Sequence, residues 1–167
     1  MSAPSVRAAS PSDIEAIALI SASRSHAASW SHAQFADELT TAGAQLLVVE
    51  EKQQVWGYIA LRVVDDEIRV VDLAVSASRE RMGYARALLA GAIACGRRAD
   101  CRRLTLEVSV DNTPALTLYK SAGLVVVGRR PKFYNDGSDA LLMDLSLCAF
   151  FSPCCSCRRP CSRPASL

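Results

Sequence analysis

The sequence has little net charge, only two histidines and no long run of apolar residues, and these shortages exclude several classes of protein. Nineteen basic residues against 17 acidic ones give a formal net charge of +2, without the basic excess of a typical nucleic-acid-binding protein. No segment reaches the roughly 18 to 20 apolar residues that a membrane-spanning helix needs. We therefore predict no direct nucleic-acid partner and no membrane partner.

The N-terminal segment also lacks the features of a secretory signal. Residues 1–12 contain no basic stretch followed by a long apolar one. Without such a signal, reduced thiols are expected rather than a disulfide framework for the seven cysteines. These absences predict a cytoplasmic protein.

The cysteines are distributed unevenly along the chain. Cys95 and Cys101 lie in the body, where we expect them to pack, and the other five lie in the last 20 residues. That tail is rich in Ser, Pro, Cys and Arg and has no period. Zinc binding is an alternative for it, but the adjacent Cys154 and Cys155, without a nearby histidine, do not match the usual ligand spacing. We predict no metal cofactor.

The length and composition predict a single folded domain with an added tail. The chain has 167 residues, half of them hydrophobic, which is enough for one substantial core. We assign residues 1–147 to this domain and 148–167 to a poorly ordered tail. His26 and His32 have no helical pairing with each other or with a carboxylate motif, so we expect them at the surface or in loops.

Hydrophobic periodicity predicts about seven strands and about four helices. The stretch from Glu67 to Val75 is almost continuously apolar, which is typical of a strand buried on both faces. Residues 84–98 have an apolar stripe at helical spacing. Ser31 is a suitable cap for a second helix that we expect to end near Gly43. The pattern predicts a mixed α/β (α+β) fold.

One strand–loop–helix segment has the character of a phosphate site. The strand ending at Val75 is followed by a short loop and by Gly83, Tyr84 and Ala85 at the start of a helix. A helix N-terminus offers unpaired amides and a partial positive charge, and small residues allow a diphosphate to approach them. An ordinary helix start is the alternative, because the motif is short.

Two motifs together resemble a known family. The loop Glu80-Arg81-Met82-Gly83-Tyr84-Ala85 resembles the cofactor loop of Gcn5-related N-acetyltransferases (GNAT), in which Gln or Arg stands at the position of Glu80. The segment 106–119, Leu-Glu-Val-Ser-Val-Asp-Asn-Thr-Pro-Ala-Leu-Thr-Leu-Tyr, is similar to the bacterial branch that acetylates the N-terminal alanine of a small-subunit ribosomal protein. Further similarities extend over residues 6–147.

The resemblance implies a fold and a set of cofactor contacts. The fold would be a central, mostly antiparallel sheet whose middle parallel strands separate to admit acetyl-coenzyme A. The main chain of Leu73, Ala74 and Val75 would pair with the pantetheine arm, and Asn112 would hydrogen-bond the cofactor. The diphosphate would lie against the loop formed by Arg81, Met82, Gly83, Tyr84, Ala85 and Arg86. Glu80 is expected to weaken cofactor binding.

The same resemblance implies that Glu107 is the general base and Tyr119 the general acid. These roles suit the chemistry, because a thioester is attacked by a neutral amine and then expels a thiolate. Considered alone, Glu107 could be a solvent-facing strand residue and Tyr119 a core aromatic residue. Their occurrence together with the loop and Asn112, in family order, favours the catalytic interpretation.

The predicted function is therefore acetyl transfer from acetyl-coenzyme A to the N-terminal α-amine of a protein. The acceptor implied by the resemblance is the N-terminal alanine of a ribosomal protein. One alternative is an enzyme that acetylates lysine side chains or a small-molecule amine. A second alternative is a non-catalytic acyl-coenzyme A-binding module.

Overall fold

The computed structural model describes residues 4–24 and 30–148. His26 and the tail from residue 149 onward, including its possible zinc ligands, lie outside the described residues. His32 is exposed at the start of a helix, and Cys95 and Cys101 are buried in the core. The packing role expected for the two cysteines agrees with this position.

The described chain forms a seven-stranded sheet with the order β1-β2-β3-β4-β5-β7-β6. Every neighbouring pair is antiparallel except β4 and β5, which run parallel. The strands are β1 (Ser5–Ala8), β2 (Ala44–Glu51), β3 (Gln54–Val64), β4 (Glu67–Val75), β5 (Arg103–Ser109), β6 (Val125–Arg130) and β7 (Ala140–Ser146). This mixed, mostly antiparallel sheet confirms the predicted fold class.

Four α-helices cover the sheet, and local signals explain where they begin. Ser31 accepts a hydrogen bond from the amide of Gln34 and caps α2, while the Asn112 side chain caps α4 in the same way. Pro114 occupies the first turn of α4, where its missing N–H is not needed. The helices are α1 (Ile14–Ala22), α2 (His32–Glu38), α3 (Tyr84–Arg98) and α4 (Thr113–Ser121).

The sheet has a hydrophobic core on each face. On one face α3 and α4 pack against all of the central strands, and the cluster includes Ile59, Ile68, Leu88, Leu104 and Tyr119. On the other face α1 and α2 cover only β2, β3 and β4, with a cluster that includes Ile17, Phe35, Val48, Tyr58 and Ala74. None of the helices in the described ranges is long and apolar enough to cross a membrane.

The parallel strands β4 and β5 separate after four residue pairs. Residues 67–70 of β4 pair with residues 103–106 of β5. Beyond these pairs, β4 continues to Val75 and β5 to Ser109 without pairing with each other. The separation begins at a β-bulge, because Ala60 pairs with Asp72 and Leu61 with Val70, which leaves Val71 as the extra residue. We call the space beyond Val70 and Leu106 the gap; it is the predicted separation of the middle strands.

Candidate active site

A cavity of about 1040 Å³ occupies the gap. It is bounded by the free parts of β4 and β5, by the end of α1, by the start of α4 and by the link before β7. Among its lining residues are Arg24, Asp72, Leu73, Val75, Glu80, Glu107, Asn112, Tyr119 and Tyr134. Several residues that sequence analysis assigned to the cofactor and to acid–base chemistry therefore lie around one space.

The edge of β4 presents main-chain groups to the gap at alternate residues. The amide of Ser76 donates to the carbonyl of Trp56 on β3, and Ser76 lies next to the pair formed by Val75 and Gly57. Hydrogen-bonded and non-hydrogen-bonded pairs alternate in an antiparallel ladder. The main-chain groups of Leu73 and Val75 therefore point into the gap, while those of Ala74 point to β3.

The loop before α3 adopts a conformation that leaves the helix amides accessible. Arg81 and Gly83 both have positive φ angles, 60° and 87°. A Cβ at Gly83 would meet no atom within 4 Å. Glycine is therefore favoured at this position by the left-handed backbone conformation and not by a lack of space. The first helical amides and the open space beside Gly83 fit an anionic group such as a diphosphate.

Some side chains near this loop contact the rest of the protein, and others are exposed. The Tyr84 side chain is buried, and its hydroxyl donates to Glu51 Oε2 at 2.9 Å. Arg79 lies 4.3 Å from the centre of the Trp56 ring and 3.6 Å from Glu51. Within the described ranges Arg81 and Arg86 are exposed and form no ion pair, so their charges are available to a ligand. Tyr84 and Ala85 can contribute through the main chain.

Glu107 lies at the apex of the gap, where the two strands begin to separate. Its strand neighbour Leu106 is the last residue of β5 paired with β4. The Glu107 side chain is 23% exposed, and its contact with a charged group is a long one, 3.4 Å from Oε1 to Nη2 of Arg130. The carboxylate therefore keeps lone pairs free to accept a proton.

Tyr119 approaches the gap from the opposite face of the sheet. Its ring belongs to the core under α3 and α4, and the residue is 8% exposed. Burial raises the pKa of Tyr119 to about 12, with smaller contributions from Asp72 and Tyr134, while Arg24 opposes the shift. The phenol is thus neutral at physiological pH. Because no strand fills the gap, Glu107 and Tyr119 both line one cavity.

Tyr134 is a further phenol that lines the cavity. Burial raises the pKa of Tyr134, and the negative charge of Glu107 adds to this effect. Its neighbour Phe133 is instead 45% exposed and lies 5.5 Å from the guanidinium of Arg130. Tyr134 therefore offers a hydroxyl to a molecule in the gap, whereas Phe133 is not among the residues that line the cavity.

Asp72 is a second carboxylate of the cavity, and sequence analysis did not identify it. Arg24 donates to both of its oxygens, at 2.8 and 3.0 Å, and the Tyr58 hydroxyl donates to Oδ2 at 2.6 Å. The amide of Leu73 donates to Oδ1 at 2.9 Å. With four donors Asp72 is saturated, so Glu107 is the better proton acceptor. The available signal was a carboxylate in the interior of an apolar strand, because a buried charge requires a partner.

Asn112 lines the cavity at the start of α4. Its side-chain oxygen accepts from the amide of Ala115 at 3.2 Å, so its side-chain N–H groups remain for a ligand. Met82 is exposed in the loop before α3. No group of three or more His, Cys, Asp or Glu residues within 4–24 and 30–148 is arranged to hold a metal ion.

Comparison with known proteins decides the family. The sequence model of the acetyltransferase (GNAT) family matches residues 13–124. This chain belongs to the GNAT acetyltransferase family. Its fold and its class of enzyme, an acetyl-coenzyme A-dependent N-acetyltransferase, are therefore those predicted.

Individual relatives agree with this assignment. The acetyltransferase is 34% identical over 133 residues to a putative ribosomal protein bS18-alanine N-acetyltransferase of Bacillus subtilis, covering 78% of this chain and 87% of the relative. The crystal structure of the ribosomal-protein-S18-alanine N-acetyltransferase from Escherichia coli superposes with a TM-score of 0.80 and 27% identity, covering 90% of this chain and 98% of that one. Ard1 from Thermoplasma volcanium gives a TM-score of 0.79 with 28% identity, over 87% and 98% of the two chains.

Proposed function

We propose that this acetyltransferase modifies the N-terminal α-amine of a protein, the N-terminal alanine of a small-subunit ribosomal protein. The observation that supports this acceptor is the 34% identity with the Bacillus subtilis relative, whose name specifies that substrate. The same acceptor is named for the Escherichia coli structure with a TM-score of 0.80. We infer from a substrate of this kind that the enzyme acts in the cytoplasm.

The arrangement of the cavity suits acetyl-coenzyme A as the acetyl donor. The exposed amides at Gly83 and the start of α3, with Arg81 and Arg86, would hold the diphosphate. The free edge of β4 would pair with the pantetheine arm, and the Asn112 amide would donate to it. Bound in this way, the coenzyme would supply the acetyl group as a thioester at the apex of the gap.

Glu107 and Tyr119 would then move the two protons of the reaction. Glu107, acting directly or through a water molecule, takes a proton from the attacking amine as the new C–N bond forms. Tyr119 donates its phenolic proton or a hydrogen bond to the sulfur as the C–S bond breaks. The products are an N-acetylated acceptor and the free thiol, and the two residues exchange the proton difference with solvent.

An N-terminal amine is the easier acceptor for this site. An α-amine has a pKa of about 7.7 to 8.0 and a lysine amine about 10.4, so near pH 7 the α-amine is neutral a few hundred times more often. Of the two carboxylates on the facing strands β4 and β5, Glu107 is the better placed to remove a proton, since Asp72 is saturated by donors. The site therefore favours the amine that has the larger neutral fraction, which is the α-amine.

Three matched peptides test the acceptor. One has a free N-terminal alanine and no lysine, the second has a blocked α-amine and one lysine, and the third has both reactive groups. After incubation with acetyl-coenzyme A, mass spectrometry should find acetyl on the first peptide and only on the α-amine of the third. Preferential acetylation of the blocked peptide would contradict the proposal, and coenzyme binding without any product would indicate a binding module.

A further inference from the structure

The Leu73 peptide group is already hydrogen-bonded on both sides, although it lies on a strand edge without a neighbouring strand. Its amide donates to Asp72 Oδ1 at 2.9 Å, and its carbonyl accepts from Arg24 Nη1 at 3.1 Å. Edge groups of this kind ordinarily pair with water or with another strand. Val75, the other residue whose main chain points into the gap, has no comparable side-chain partner in the described chain. Only Val75 is therefore free to pair with an extended ligand.

The two side chains that hold Leu73 are themselves fixed. Arg24 and Asp72 form a bidentate pair, and their side chains are 23% and 13% exposed. The hydroxyl of the fully buried Tyr58 provides a further bond to Asp72. A planar guanidinium can bond a carboxylate and a carbonyl at the same time, which an ammonium group does less well. We call Arg24, Asp72 and the Leu73 peptide the clamp.

The clamp lies between the open end of the gap and its apex. Val71 and Glu107 are the first residues beyond the last β4–β5 pair, so they mark the apex. Leu73 lies two residues further along β4 and Val75 four residues further, with a spacing of about 7 Å between Leu73 and Val75. A ligand arm that enters beside α3 and pairs with Val75 therefore reaches the clamp just before Glu107.

We propose that Arg24 and Asp72 are positioning residues. Because they occupy both main-chain groups of Leu73, they set how far the pantetheine arm, with its acyl group, enters the gap. The arm pairs with Val75 and stops at the clamp, so that the thioester lies between Glu107 and Tyr119. This inference rests on the proposed function, since it assigns a fixed end point to the donor in that same site. It also narrows the predicted pairing with residues 73–75 to Val75.

A pair of matched substitutions separates positioning from general stabilisation. Arg24→Lys keeps the charge but loses the two-nitrogen contact with Asp72. Arg62→Lys makes the same residue change in the Arg62–Glu38 pair, in which Nη2 alone contacts both carboxylate oxygens. That pair lies outside the cavity, and its side chains are 35% and 7% exposed. The two variants should lose similar thermal stability. Arg24→Lys should lower kcat about 10- to 100-fold through a displaced thioester, while the Kd of coenzyme A changes less than about threefold.

The outcomes of this comparison are distinct. Unchanged kcat in Arg62→Lys together with the loss in Arg24→Lys supports the clamp as a positioning device. A kcat for Arg24→Lys within about twofold of the wild type, or an equal loss in Arg62→Lys, would overturn the inference.

Amide hydrogen exchange on the wild-type protein tests the clamp without any turnover. The Leu73 amide should be protected with and without coenzyme A, and the Val75 amide should gain about tenfold protection or more when coenzyme A is added. Protection of Leu73 that appears only with coenzyme A, or no change at Val75, would overturn the inference. Failure of the wild type to acetylate any peptide would instead reject the proposed function, because the exchange result does not depend on catalysis.

Discussion

Replacing Tyr119 by phenylalanine isolates the contribution of one buried hydroxyl. The ring is part of the core and the residue is 8% exposed, so phenylalanine preserves the packing. The Tyr119 pKa of about 12 lies about 3.5 units above that of an ordinary thiol. Complete proton transfer to a free thiolate would therefore cost about 5 kcal/mol. Part of this cost is offset where the sulfur is also withdrawn from water, because desolvation raises the thiol pKa.

The expected loss follows from these magnitudes. A hydrogen bond to a developing charge is worth about 1.5 to 3 kcal/mol, which corresponds to a loss of kcat of about 10- to 150-fold in Tyr119→Phe. Steady-state kinetics at saturating acetyl-coenzyme A measures this loss, and thermal unfolding verifies that stability is retained. Because the Tyr119 pKa is raised, wild-type kcat should not fall between pH 8 and 10. A kcat within about twofold of the wild type, or a fall near pH 10 that Tyr119→Phe abolishes, would refute the reasoning.

The remaining predictions concern the base, the loop and the pH dependence of stability. Glu107→Gln should lower kcat about 10²- to 10⁴-fold with little change in the KM for acetyl-coenzyme A. The control Asp111→Asn, which changes another carboxylate of the same cavity, should leave kcat almost unchanged. Equal losses of kcat in the two variants would argue against Glu107 as a specific base. Gly83→Ala should weaken the binding of acetyl-coenzyme A measured by calorimetry, because an alanine in the left-handed conformation of Gly83 costs about 1 to 2 kcal/mol. An unchanged affinity would mean that this loop does not bind the diphosphate. Arg7 holds the pKa of Asp13 well below its usual range, so this carboxylate stabilises the fold above about pH 4 and loses its contribution as the pH falls. Urea unfolding from pH 7 to 3 should therefore show a smaller decline for Asp13→Asn, and parallel curves would contradict the assignment.

The regular elements could be predicted because their signals are local. Helix α3 and strand β4 have the predicted bounds, since apolar spacing and the glycine before the helix define them. Helix α2 was expected to continue to near Gly43 but ends at Glu38. There the hydroxyls of Thr40 and Thr41 both donate to the carbonyl of Asp37, which ends the regular helical bonding before the glycine is reached.

The candidate site could be predicted only in part. The loop around Gly83, with Glu107, Asn112 and Tyr119, follows from short motifs whose order is visible in the sequence. The bond between Arg24 and Asp72 joins residues 48 positions apart, and no periodic pattern links them. The bulge at Val71, which starts the separation of the strands, depends on the register with β3 and is equally invisible in the sequence.

The most direct test of the account is a crystal structure with bound acetyl-coenzyme A or a thioether analogue. The account predicts the diphosphate at the N-terminus of α3, main-chain pairing at Val75, and the sulfur within hydrogen-bonding distance of the Tyr119 hydroxyl and on the side facing Glu107. A sulfur atom outside the gap, or a coenzyme bound in the cavity of about 650 Å³ beside β1 and β2, would contradict it.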